Sequence, residues 1–93
     1  MDLLIAERTV VRDKVTALVG DILKRNGIDR PVDANADLVS QGVTSVDMVQ
    51  LMLAIEAAFD ITIPQSGITP ENFRSVATIT SLVNKLAPVE AAN

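Results

Sequence analysis

Between Gly42 and Pro64 the chain reads as a turn, a run of apolar and polar residues at helical spacing, and an extended exit. Placed at about 100° per residue from Ser45, the residues Met48, Leu51, Met52, Ile55, Ala58 and Phe59 fall on one arc, the buried stripe expected of an amphipathic helix from about Ser45 to Asp60. Ser45, Glu56 and Asp60 share another arc with Val46, Val49 and Leu53, and Asp47 and Gln50 lie farther round. That side mixes acids with aliphatic residues and suits a partner better than bulk water. Thr44 or Ser45 can cap the free amides, and Asp47 puts negative charge in the first turn, where the helix dipole favours it. Pro64 pushes the residues before it toward extended geometry.

The flanks carry the same period. Leu4, Val11, Val15, Leu18 and Ile22 predict a first long helix that starts somewhere within residues 2 to 9 and stops at Asn26-Gly27, with Lys24 and Arg25 at its negative end. Residues 26 to 44 read as a long connection pinned by Leu38, with a short helical turn or a functional role near Ala36 to Ser40. Thr69-Pro70-Glu71 is a cap, a first-turn proline and a first-turn acid, which predicts a short third helix anchored by Phe73. Val76, Ile79, Val83 and Leu86, with Leu82 beside them, predict a last helix from about Ser75 to Leu86 that Pro88 ends. The expected fold is all-α, a small bundle of three longer helices plus one short helix, with a single domain over residues 1–88 and a mobile tail over 89–93.

Composition supports this and narrows the function. Hydrophobic residues make up 48% of the chain but aromatics only 2%, so the core is aliphatic, which favours helices over a sheet. The net charge of -4 is concentrated in residues 29 to 71, where Asp29, Asp33, Asp37, Asp47, Glu56, Asp60 and Glu71 face Arg30 as the single base. An acidic middle repels phosphate backbones, which argues against nucleic-acid binding and for a basic protein partner. The N-terminus lacks the pattern of a signal peptide, and no stretch reaches the length of a membrane span, so a cytoplasmic, soluble protein is expected. Nothing in the sequence signals an oligomer, and a monomer is expected.

Candidate chemistry is sparse. With no His and no Cys the chain cannot assemble a Ser/His/Asp or Cys/His site, so it is not expected to be an enzyme. Glu56 and Asp60, four residues apart, read as a solvated helix face rather than an acid–base pair. Asp33-Ala34-Asn35-Ala36-Asp37 matches the start of a calcium loop, but Leu38 stands where that loop needs glycine and Thr44 where it needs a bidentate Glu; no metal is expected. Ser45 by itself is a common kind of helix cap.

Taken together, Asp37-Leu38, Gly42-Val43-Thr44-Ser45-Val46-Asp47 and Glu56-Ala57-Ala58-Phe59 running into Asp60-Ile61-Thr62-Ile63-Pro64 resemble acyl and peptidyl carrier proteins. The family pattern is D-L, then G-x-D-S-L, a helix ending in E-x-x-F, and I-P. The resemblance implies that Ser45 is the attachment point of 4'-phosphopantetheine, transferred from coenzyme A by a phosphopantetheinyl transferase, and that the arm's thiol carries cargo as a thioester. It also implies a partner-recognition face of Thr44, Val46, Asp47, Gln50, Leu53 and Glu56.

Thr44 and Val46 depart from the usual Asp and Leu beside the serine. Gln50, Ala57 and Ala58 stand where carriers of fatty-acid synthesis commonly have acids. The segment from Val49 to Ile61, with Phe73-Arg74-Ser75 ahead of Ile79, is more similar to stand-alone aminoacyl carriers. These include bacterial ones loaded by an amino acid:carrier-protein ligase and the D-alanyl carriers of cell-wall modification. A downstream acyl-accepting enzyme completes the implied set of partners. Two other readings stand beside this one: an acyl carrier of a specialised lipid or polyketide pathway, and an unmodified helical interaction module that docks through Val46, Val49 and Leu53.

Overall fold

The computed structural model describes residues 3–86, with side chains from Val10 onward. Four α-helices follow in order: α1 (Leu3–Arg25), α2 (Leu38–Gln41), α3 (Ser45–Phe59) and α4 (Val76–Leu86). No strand occurs among the described residues, so the all-α expectation holds. The start of α1 falls within the expected window. The side chain of Leu4, the stop at Pro88 and the tail over 89–93 lie outside the described residues.

One aliphatic core joins the three longer helices. Val15, Val19, Ile22 and Leu23 of α1, Leu51 and Ile55 of α3, and Val76, Ile79, Leu82 and Val83 of α4 are buried in a single cluster. α1 packs against both α3 and α4. Leu38 and Val43 close the core under the long connection, so the segment that leads to Ser45 is anchored at two points.

Each end of the scaffold has a local cause. α1 stops in a Schellman arrangement: the Ile28 amide donates to the Leu23 carbonyl at 2.8 Å and the Gly27 amide to the Lys24 carbonyl at 3.0 Å. Gly27 supplies the positive φ, 77°, that this stop requires. In the connection, the Gln41 side-chain amide donates to the Asp33 and Ala36 carbonyls while its oxygen accepts the Asp33 amide, which folds residues 33 to 36 back onto α2. The Asp37 carboxylate caps α2 by accepting the Val39 amide at 2.9 Å.

Two expectations need correction. Ala58 is exposed and does not belong to the core stripe of α3, while Ala54 is half-buried. The predicted short helix at Thr69 to Arg74 is a single turn: the Thr69 hydroxyl accepts the Asn72 amide and the Thr69 carbonyl accepts the Phe73 amide, and the chain then bends toward Ser75. The start signal was read correctly, but Ser75 reverses the chain to begin its own cap. Its hydroxyl accepts the Thr78 amide at 3.2 Å, and the Thr78 hydroxyl accepts the Ser75 amide at 3.0 Å. The short helix of the bundle is therefore α2, close to the turn expected near Ala36 to Ser40, with a 3₁₀ turn at Gln65–Gly67 besides.

Candidate functional site

The start of α3 is built by a division of labour between two neighbouring hydroxyl residues. Thr44 is the N-cap: its hydroxyl accepts the Asp47 amide at 3.1 Å, and the Asp47 carboxylate returns the favour by accepting the Thr44 amide at 3.0 Å. This is a complete capping box. Ser45 is thereby the first residue of the helix, exposed, and its hydroxyl makes no hydrogen bond among the described residues. The two capping candidates left open by the sequence are resolved in favour of Thr44.

The loop that delivers Ser45 is tied from three sides. Gly42 closes α2 by donating to the Leu38 and Val39 carbonyls, with φ at 120°. A Cβ on Gly42 would meet the far end of the Ile28 side chain, which can swing aside, so it is the backbone angle that calls for glycine here. From α1, the Asn26 side-chain amide donates to the Gly42 carbonyl at 3.1 Å and to the Asp47 carboxylate at 2.8 Å. Hydrogen bonds from the Thr44 backbone and the Asn26 and Thr44 side chains, with the nearby Arg25 charge, hold the Asp47 carboxyl below its ordinary range.

Beyond the first turn the helix shows two different sides. Val46, Val49 and Leu53 are 69%, 54% and 60% exposed, and with Gln50, also exposed, they form a continuous apolar and polar stripe. Met48 and Met52, assigned to the core by periodicity, are only half-buried and line a groove of about 640 Å³ together with Val39, Ile68, Phe73 and Arg74. Met48 and Met52 lie about one and two turns beyond Ser45, so the groove flanks the first turns of α3.

Glu56 does not join the free stripe. It is half-buried, and its carboxylate accepts the Ile63 amide at 2.8 Å, holding the extended segment that follows α3. Asp60 sits at the C-cap with φ at 53°, its amide donating to the Glu56 carbonyl. The acid pair read as a solvated face therefore serves to terminate the helix. Asn26 was read only as part of a helix stop, because a contact across sixteen or more residues leaves no periodic trace in sequence.

A family model described as a phosphopantetheine attachment site matches residues 13–86 of the chain. The protein belongs to that family of carrier proteins. Among curated relatives, this carrier is 51% identical to aminoacyl carrier protein 1 of Bradyrhizobium diazoefficiens over 94% of the chain and 98% of the relative. It is 38% identical to an aminoacyl carrier protein of Agrobacterium fabrum over 74% and 88%. Among solved structures it superposes with a TM-score of 0.74 at 49% identity on a chain of a Bradyrhizobium japonicum glycine:[carrier protein] ligase complexed with its cognate carrier protein and an analogue of glycyl adenylate, covering 82% of this chain and 97% of that one. A complex of the same ligase with glycylated carrier protein matches with a TM-score of 0.72 at 49% identity, over 78% and 97%.

The prosthetic group of the carrier family is covalently held phosphopantetheine. The start of α3 fits such a group. It offers an exposed, uncommitted hydroxyl at the positive end of a long helix, where a phosphodiester is favoured, and an adjacent groove with apolar lining. Among the described residues no helix is long and apolar enough to cross a membrane.

Proposed function

We propose that the chain, as one carrier domain over residues 1–88, bears 4'-phosphopantetheine on the Ser45 hydroxyl and carries an aminoacyl group on it as a thioester. The observation that carries this reading is the split between Thr44 and Ser45: the cap is complete without Ser45, whose hydroxyl is left exposed for another enzyme. When bound, the group supplies the thiol that the cysteine-free chain lacks. The chain's own residues position and present: Thr44 and Asp47 fix the first turn, and the N-terminal amides of α3 favour the phosphodiester charge.

The loading partner in this reading is an amino acid:carrier-protein ligase, as in the complexes of the related Bradyrhizobium carrier. Val46, Val49, Gln50 and Leu53 form the docking stripe, with aliphatic contacts at its centre. Thr44, Asp47 and Glu56 support that stripe by fixing the two ends of α3 through hydrogen bonds. Thr44 in place of the usual aspartate and the absence of acids at Gln50, Ala57 and Ala58 make the face less acidic than that of a fatty-acid carrier, which suits a different set of partners. The chain performs no reaction alone, and it works in the cytoplasm, where coenzyme A is supplied.

The test is intact mass spectrometry after incubation with coenzyme A and a phosphopantetheinyl transferase. Wild type gains one phosphopantetheine and Ser45→Ala gains none. The modified protein is then offered glycine, other amino acids or fatty acids with the matching ligase and ATP, and a mass gain of one aminoacyl group is expected with amino acids. Wild type that stays unmodified would sink the reading, and loading only by fatty acids would move it to the acyl carriers.

A further inference from the structure

The Asn26 side chain joins three elements that are distant in sequence. It sits at the C-cap of α1, where Gly27 and Ile28 complete the helix stop with backbone hydrogen bonds alone, so α1 does not need the Asn26 amide for its own termination. Both amide hydrogens instead go outward, one to the Gly42 carbonyl at 3.1 Å and one to the Asp47 carboxylate at 2.8 Å. The Asp47 oxygen that receives Asn26 is the same oxygen that receives the Thr44 amide. Residues 42 and 47 bracket Ser45, so a single primary amide sets the spacing between the loop before the serine and the helical turn after it.

Only a double donor of this length serves. Asp at position 26 has the same shape but no donor, and would set a carboxylate against the Asp47 carboxylate and the Gly42 carbonyl. We infer that Asn26 is a positioning residue for attachment at Ser45, holding the Gly42 to Asp47 segment in the arrangement that the transferase engages. The inference rests on the reading of Ser45 as the attachment point. Asn26 touches neither the serine hydroxyl nor any reacting atom; it acts through Asp47 and Gly42.

The experiment measures kcat/KM of a phosphopantetheinyl transferase for wild type, Asn26→Asp, Asn26→Ala, Asp47→Asn and the double variant Asn26→Asp/Asp47→Asn, each at a temperature where circular dichroism shows it folded. Asn26→Asp is expected to lower kcat/KM about tenfold or more, the scale at which small misplacements act on a reacting group. The double variant removes the clash of two carboxylates but leaves the Gly42 carbonyl without its donor, and the single atom at 47 that faces both Asn26 and the Thr44 amide cannot serve both once it is an amide. Its kcat/KM is expected to rise above that of Asn26→Asp while staying below wild type, a coupling that a general loss of stability cannot produce. Asn26→Ala removes the donors without adding charge and is expected to fall between wild type and Asn26→Asp. Unchanged kcat/KM in Asn26→Asp, or in Asn26→Ala should the aspartate variant not fold, overturns the inference, as does a double variant that recovers nothing over Asn26→Asp. Wild type that is not modified at Ser45 overturns the attachment reading itself, and so separates the two failures.

Discussion

The Glu56 carboxylate accepts the backbone amide of Ile63 at 2.8 Å, bridging the last turn of α3 to the extended segment beyond it. Ile63 is 5% exposed and belongs to the core, so its amide has little access to water. Removing the acceptor leaves a buried donor without a partner. Glu56→Ala is expected to lower stability by about 1–2 kcal/mol in urea or thermal unfolding, with Glu56→Gln, which keeps an oxygen acceptor, losing less.

Gly42 is expected to be intolerant. Alanine there must adopt a backbone angle, φ 120°, that L side chains rarely take, and must push the tip of Ile28 aside, so Gly42→Ala should cost about 1–3 kcal/mol, chiefly from the backbone. Because the displaced backbone carries the carbonyl that Asn26 holds, the same variant should also slow modification of Ser45 at temperatures where it remains folded.

Gly20 behaves in the opposite way. It lies inside α1, and a Cβ there would meet only the Val32 side chain at 3.8 Å, an ordinary contact. Gly20→Ala is expected to raise stability by about 0.5–1 kcal/mol, read as a higher urea midpoint with an unchanged slope.

Acid should remove the contribution of Asp47. Its carboxyl is held below the ordinary value of 3.8, so the folded state binds its proton more weakly than the unfolded chain does. The stabilisation is fully present above that ordinary value and is lost as pH falls through the lower, folded-state value. The stability gap between wild type and Asp47→Asn is expected to be widest near neutral pH and to close as thermal unfolding is followed down through the acid range. A gap that is independent of pH would show that the carboxylate charge is not what matters.

The parts of this fold that are written locally were legible. The stripe of Leu51 and Ile55, the Asn26-Gly27 stop and the Pro64 exit each follow from residues within a few positions of one another, and the structure has all three. Thr69-Pro70-Glu71 failed because a start signal says nothing about length, and the Ser75 and Thr78 cap claimed the residues that a longer helix would need. Met48 and Met52 were given to the core by angle alone; they pack against its edge but stay half-buried, because the segments around Val39 and Ile68 to Arg74 stand off that side of α3 and leave a groove. Ser45 was singled out by its surrounding motif, and the structure leaves its hydroxyl exposed at the start of α3. The tie from Asn26 to Gly42 and Asp47 was not, since it depends on how the end of α1 meets the start of α3 in space.

The assignment of the cap to Thr44 has a consequence for how the protein exists in a cell. A group added to the Ser45 oxygen breaks no hydrogen bond among the described residues and displaces no buried side chain. On the proposed reading, attachment there costs the fold none of its own contacts, while the negative charge it brings to the positive end of α3 is favoured only when that helix is formed, so the modified chain should resist unfolding at least as well as the bare one.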